Sequence, residues 1–177
     1  MKKIVYYVAS SIDGFIAGPN CDISKFQLEG PAVDKYHSDL QSFQTVIMGR
    51  NTYEFGYQYG LEPGQPAYLH MKHFIFSSTL EFNVKHDQVQ CLELSAGNIE
   101  KIRNDSPSDV YLCGGGQFAG WLLEQGLIDT IKLKLNPIVL GGGVRIFGDS
   151  KASVKMELIQ RESFDKSFDI LTYEVLN

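Results

Sequence analysis

The sequence predicts a single α/β domain with a central, mostly parallel mixed sheet that ends in a C-terminal antiparallel hairpin. Three observations predict it. Short runs of β-branched and aromatic residues recur along the chain, and segments of helical period separate the early ones. Two of those runs end in glycine immediately before a helix start, as a parallel sheet with crossover helices requires. The last strand-like runs, 153–162 and 168–176, have no helix between them, so they pair as a hairpin. The chain has 177 residues, enough for one full core, and no linker or low-complexity tract divides it.

In order, residues 3–9 read as a buried strand, and Asp13-Gly14 as a turn before the apolar Phe15-Ile16-Ala17. Residues 21–30 lack a period and read as loop. Pro31 can open a helix over 32–42, where Val33, Tyr36, His37 and Leu40 share a spacing. Thr45–Met48 is a strand closed by Gly49, with Asn51 or Thr52 capping a short helix. Residues 56–70 hold three glycines and two prolines and read as loop. His73–Phe76 and Val89–Leu92 are further strands, and Ser95 caps a helix to Arg103. Asp109–Cys113 is a strand, followed by Gly114-Gly115-Gly116 and a helix from Gln117 to Gln125. In Thr130–Leu135 the residues Ile131, Leu133 and Leu135 alternate with Lys132 and Lys134, the pattern of a half-exposed strand. Asp165-Lys166-Ser167 is the expected hairpin turn.

Composition narrows the function. Hydrophobic residues make up 44% and charged residues 21%, as in globular domains, and the net charge of −5 argues against nucleic-acid binding. Cys21, Cys91 and Cys113 lack metal-ligand spacing and read as thiols of a reducing compartment. His70, His73 and His86 have no metal-motif spacing either, so no metal is expected. The N-terminal apolar run is too short for a secretion signal, and no apolar stretch reaches the ~18 residues of a membrane span. A cytoplasmic protein without membrane contact is the expectation.

Two segments could carry chemistry. Gly114-Gly115-Gly116-Gln117 joins a strand to a helix, and a helix start offers unpaired N–H groups and the positive end of a dipole to an anion. Gly49-Arg50-Asn51-Thr52 repeats that arrangement and adds a guanidinium suited to phosphate. Ser77 and Ser78 could add hydroxyl donors. Several phosphate-competent turns suit a dinucleotide bearing a 2′-phosphate. The plainer readings are a tight structural turn at Gly114–Gly116 and a surface salt bridge at Arg50.

These residues resemble a known family. Val46-Ile47-Met48-Gly49-Arg50-Asn51-Thr52-Tyr53-Glu54 resembles a segment of dihydrofolate reductases, and Phe74–Ser78 and Val110–Gly116 are similar to their next strand and glycine-rich turn. Ser11-Ile12-Asp13-Gly14-Phe15-Ile16-Ala17, Leu127-Ile128-Asp129 and Pro137–Phe147 more closely resemble the C-terminal reductase domain of the riboflavin-biosynthesis deaminase-reductase, in a stand-alone form. The resemblance implies a dihydrofolate-reductase-like three-layer α/β/α fold and NADPH as cofactor. It places Gly49, Arg50, Asn51, Thr52, Ser77 and Ser78 on the 2′-phosphoadenosine and pyrophosphate. Gly114, Gly115, Gly116 and Gln117 would hold the pyrophosphate from the other side, and Ala9 and Ile16 would pack near the nicotinamide. Gly141, Gly142 and Gly143 would border the substrate. No Pro-Trp precedes the first helix, and Ser38 stands where dihydrofolate reductases carry Phe. No zinc-deaminase motif is present, so only reduction is carried over.

The reaction this implies is hydride transfer to a small pyrimidine- or pteridine-like substrate, resembling 5-amino-6-(5-phosphoribosylamino)uracil reductase. Asp34 is the first candidate for the proton donor and Asp13 the second. The plainer readings are a solvated helix residue and an Asp-Gly turn. Tyr53, Phe55, Tyr57 and Tyr59 could wall a planar substrate or pack a loop. A homodimer is expected, paired through Gln117, Trp121 and Leu122 and the strand Thr130–Leu135. The alternatives are a dihydrofolate reductase proper and a nucleotide- or flavin-binding module without turnover.

Overall fold

The computed structural model describes residues 1–84, 86–164 and 168–176. The expected turn at Asp165-Lys166-Ser167 lies outside the described residues. The strands are β1 (Ile4–Ser10), β2 (Phe15–Ala17), β3 (Thr45–Gly49), β4 (Lys72–Phe76), β5 (Val89–Leu92), β6 (Val110–Gly114), β7 (Thr130–Leu135), β8 (Val144–Arg145), β9 (Lys155–Phe164) and β10 (Phe168–Leu176). The helices are α1 (Pro31–Leu40), α2 (Arg50–Phe55), α3 (Ala96–Asp105) and α4 (Gly116–Glu124).

Eight strands form one sheet in the order β5-β4-β3-β6-β1-β7-β10-β9, and β2 pairs with β8 in a small second sheet. From β5 to β7 every neighbouring pair is parallel. β10 runs antiparallel to both β7 and β9. The fold is therefore the mixed, mostly parallel α/β sheet with a C-terminal hairpin that the sequence pattern predicts.

β1 shows why three layers form. Successive side chains of a strand point to opposite faces. Ile4 and Tyr6 pack with Ile99 and Ile102 of α3 and with Phe118 and Leu122 of α4. Val5 and Tyr7 pack on the other face with Leu40 of α1 and Tyr53 of α2. Both faces are covered, so the central strands read as nearly continuous apolar runs.

Three expectations need correction. β7 is not half-exposed: β1 and β10 flank it and α1 covers one face, so Lys132 is partly buried and Lys134 is buried. The expected dimer surface is occupied as well, because Leu122 is fully buried and Trp121 packs against the α3–α4 core. Finally, 56–59 form a 3-10 turn continuing α2 rather than open loop. Tyr53 is buried there, accepting a hydrogen bond from the Gly64 amide and donating one to the Gln65 carbonyl. That aromatic anchors the loop and is no substrate wall. No helix among the described residues is long and apolar enough to cross a membrane.

Candidate functional site

Parallel strands bring their carboxyl ends to one edge of the sheet, which is where ligands bind in open α/β folds. β1, β3, β4 and β6 end there at Ser10, Gly49, Phe76 and Gly114. The two glycine turns converge at this edge. A side-chain carbon at Gly115 would stand 2.9 Å from Thr52 Oγ1, and one at Gly49 would stand 3.3 Å from Phe118 Cβ. The start of α2 thus abuts the start of α4. The Gly114–Gly115 peptide is cis, and Gly114 has φ +126°, a conformation that favours glycine.

Neither helix start has a side-chain cap. α3 differs, because Ser95 Oγ accepts from the Asn98 amide at 3.2 Å. In α4 the Ala119 amide makes the first bond, to the Gly115 carbonyl, so the Gly116, Gln117 and Phe118 amides precede the helical ladder. A missing cap costs about 1 kcal/mol, and an anion that accepts from those amides recovers it.

Arg50 borders the same edge. Its Nη1 donates to Thr79 Oγ1 at 2.8 Å, and its Nε lies 2.9 Å from Glu54 Oε1. The salt bridge of the plainer reading is present, yet the guanidinium also sits against the turn that follows β4. In that turn Ser77 Oγ accepts from the Thr79 and Leu80 amides, while Ser78 is exposed. Asn51 is exposed on α2. Thr79 is a partner that sequence reading missed, and its place just beyond Ser77-Ser78 was the available signal.

Other glycines turn out to serve the fold. A side-chain carbon at Gly116 would meet the Arg145 carbonyl oxygen at 2.0 Å, and one at Gly120 would meet that of Phe147 at 2.2 Å. The segment after β8 therefore lies directly on α4. Gln117 joins in, donating from Nε2 to Asp149 at 2.7 Å. For a ligand, Gly116 and Gln117 offer backbone amides rather than open space or a free side chain. Gly143 is filled likewise, with the Ala17 carbonyl oxygen 2.1 Å from where its Cβ would be, whereas Gly141 and Gly142 face open space.

Both expected proton donors are corrected. Asp13 accepts from the Gly141 amide at 2.7 Å and the Leu140 amide at 3.1 Å. The Ser11 hydroxyl, together with those amides, outweighs desolvation and holds its carboxyl at about 2. It is ionised at neutral pH and has no proton to give; it clamps the glycine loop to the β1–β2 turn. Asp34 is exposed on α1, whose sheet-facing side carries Ala32, Val33, Tyr36 and Leu40. Helical phase turns Asp34 away from the sheet.

Among the polar groups that α1 covers is Lys134, whose Nζ lies 5.4 Å from the Tyr36 ring centre and which stands opposite Ala9 in the β1–β7 register. Ala9 is half-buried near the end of β1, and Ile16 is half-buried in β2. A separate cleft of about 750 Å³ lies between β4, β5 and α3, lined by Lys72, Gln90 and Lys101 among others. It contains none of the expected site residues and no uncapped helix start. Among the described residues no group of three or more His, Cys, Asp or Glu could hold a metal ion.

The model of the RibD C-terminal domain matches residues 2–169. The chain belongs to the RibD C-terminal domain family. A protein of Shewanella sp. PV-4 assigned to riboflavin biosynthesis superposes with TM-score 0.83 at 23% identity, over 100% of each chain. The deaminase/5-amino-6-(5-phosphoribosylamino)uracil reductase of Thermotoga maritima gives 0.69 at 17% identity, over 99% of this chain and 57% of that one. Dihydrofolate reductase of Enterococcus faecalis, solved with NADP(H), gives 0.67 at 15% identity, over 99% of this chain and 97% of that one. The fold of this RibD C-terminal domain protein is thus dihydrofolate-reductase-like, and its family points to an oxidoreductase.

Proposed function

We propose that this RibD C-terminal domain protein is an NADPH-dependent reductase of a small pyrimidine-like substrate, similar to 5-amino-6-(5-phosphoribosylamino)uracil. One observation carries this reading: two helix starts without side-chain caps meet at Thr52 and Gly115 on the carboxyl edge of the sheet. A pyrophosphate suits that junction, because unpaired amides and two helix dipoles favour negative charge there. Arg50, with Ser77, Ser78 and Thr79, would hold the adenosine 2′-phosphate. Ala9 and Ile16 would line the nicotinamide end. The dinucleotide supplies a hydride; the protein's part is to orient the two reacting carbons and exclude water.

Dihydrofolate is the weaker substrate, since Asp34 is exposed and the carboxylate that α1 does turn to the sheet, Asp39, is held by Lys35 and Lys132. The fluorescence of Trp121 follows the titration of NADPH and NADH. Arg50→Ala should weaken NADPH about 10- to 100-fold, the equivalent of about 1.5–3 kcal/mol for a hydrogen bond to a charged group, and NADH far less. Equal weakening of both removes the 2′-phosphate role, and failure of both to bind wild type sinks the reading. Binding without oxidation by the aminopyrimidine ribotide or dihydrofolate would favour a nucleotide-binding module.

We also infer a cytoplasmic homodimer. The thiols of Cys21, Cys91 and Cys113 are all free, as a reducing compartment keeps them. β9 is a ten-residue edge strand that exposes Met156, Leu158 and Ile159. An open apolar edge is a template for pairing unless something covers it, and a second copy would cover it. Sedimentation of Leu158→Lys should give monomer where wild type gives dimer. A monomeric wild type overturns this.

A further inference from the structure

Three lysines meet the face of the sheet that α1 covers, and two of them share one acid. Asp39 on α1 lies 2.5 Å from Lys132 Nζ, pairs with Lys35, and accepts from the Tyr7 hydroxyl at 3.2 Å. Burial raises the Asp39 carboxyl, but both lysines outweigh that and hold it below the usual carboxylate range. Glu162 on β9 lies 3.5 Å from Lys35.

Lys134, one step along β7, has a different environment. It is only 7% exposed, and among the described residues its amine has neither an ion pair nor a hydrogen bond. Its Nζ lies 5.4 Å from the centre of the Tyr36 ring on α1. The Tyr36 hydroxyl in turn lies 2.6 Å from that of Tyr111 on β6. Among the described residues the titratable groups nearest it on this face are Tyr7, Lys132, Lys35, Tyr36, Asp39, Glu162, Tyr68, Tyr111 and Cys113; Asp39 is engaged by Lys35 and Lys132, and Glu162 reaches Lys35 through Oε2 while its Oε1 is buried without a partner.

A buried amine without a counter-charge is costly, and a cation–π contact returns only part of the cost. Such a group, placed on the ligand-binding edge, marks function rather than stability. Lys134 is the penultimate residue of β7, on that edge, opposite small Ala9. Burial also lowers its pKa from the usual lysine value, which brings the ammonium nearer the range where an acid is useful.

We propose that Lys134 is the proton donor at this edge, protonating the nitrogen of an imine, the ring-opened form of a ribosylamine, as the carbon accepts a hydride. The proposal rests on the reductase reading above, in which a reduced nicotinamide would supply that hydride and be left oxidised. As the imine carbon gains the hydride, its π pair moves to nitrogen. The N–H bond of the Lys134 ammonium breaks and a new N–H bond forms at that nitrogen. The substrate ends as a secondary amine, and the neutral Lys134 amine takes a proton back from water.

The test uses the full chain labelled with [ε-13C]lysine, the Lys134 resonance being the one lost in Lys134→Arg. It should titrate at lower pH than the exposed lysines and move when NADP+ is added. With NADPH and 5-amino-6-(5-phosphoribosylamino)uracil, Lys134→Met should lower kcat about 100-fold or more while leaving NADPH affinity within about two-fold. Methionine is an apolar near-isostere, so the buried position should tolerate it. Activity should fall as pH rises through the Lys134 pKa, and Lys134→Arg should restore part of kcat and push that limb to higher pH. A Lys134 resonance that titrates with the surface lysines overturns the proposal alone. So does one that NADP+ leaves in place while the Gly116–Phe118 amides shift, or a Lys134→Met enzyme with undiminished kcat. No shift at any of those amides overturns the reductase reading, and the proposal with it.

Discussion

Gly143→Ala lowers stability by about 3 kcal/mol or more. Two costs add there. The residue has φ +129°, where a side chain is strained by about 1–2 kcal/mol. Its Cβ would also lie 2.1 Å from the Ala17 carbonyl oxygen and 2.7 Å from Gly18 Cα, and overpacking of this kind costs about 1–3 kcal/mol. Backbone atoms cannot rotate aside as a flexible side chain can, so β8 has to lift from β2. In a domain of this size each kcal/mol is worth about 2–4 °C, so Tm should fall by about 6–12 °C in calorimetry. Two controls separate the causes. Gly141→Ala meets open space at φ +73° and should cost only the strain, about 1 kcal/mol. Gly142→Ala has neither problem and should stay within about 0.5 kcal/mol of wild type. If Gly143→Ala matches Gly142→Ala, the close approach of the glycine loop to β2 is refuted.

Arg103→Met costs about 3 kcal/mol by a different route. Arg103 is 4% exposed; its Nε donates to the Lys2 carbonyl at 2.9 Å and its Nη2 pairs with Asp129 Oδ2. The same Asp129 oxygen accepts from the Ile4 amide at 2.7 Å. One guanidinium thus ties α3 to the entry of β1 and to the turn before β7. Removing one partner of a buried ion pair costs about 3–5 kcal/mol because the other charge is stranded. Asp129 keeps some contact with water, which places the value at the low end. Replacing both, as Arg103→Met with Asp129→Asn, should cost less than the sum of the single losses. Urea unfolding of the four proteins measures this cycle. An additive result, or a loss below about 1 kcal/mol for Arg103→Met, would show that the hub is not coupled.

Both predictions involve a residue of the family-like motifs, Gly143 in the first and Asp129, the partner of Arg103, in the second, and they show what such motifs report. Asp129 of Leu127-Ile128-Asp129 and Gly143 of the late glycine run read as recognition marks in the sequence, and in the fold they are structural joints. The same sorting applies within the cofactor turns. Gly114 and Gly115 stand at the junction with Thr52, while the missing side chain of Gly116 makes way for the Arg145 carbonyl. Spacing cannot separate these roles, because a glycine that admits a ligand and one that admits another stretch of backbone are written identically.

The sequence alone determined the α/β fold, most of the strand and helix spans, and the two strand-to-helix turns, because period and punctuation are local properties; β8, two residues long, carries no such pattern. Only the tertiary structure decided what lies against what. It placed Thr52 on Gly115 and Arg50 beside Thr79, left the starts of α2 and α4 uncapped while Ser95 closed α3, and turned Asp34 outward and Asp13 into a clamp. It also put a helix over β7, so that an apparently half-exposed strand became an interior one and Lys134 became a buried amine. Burial depends on which elements pack together across long separations in the chain, and alternation within six residues carries no information about that.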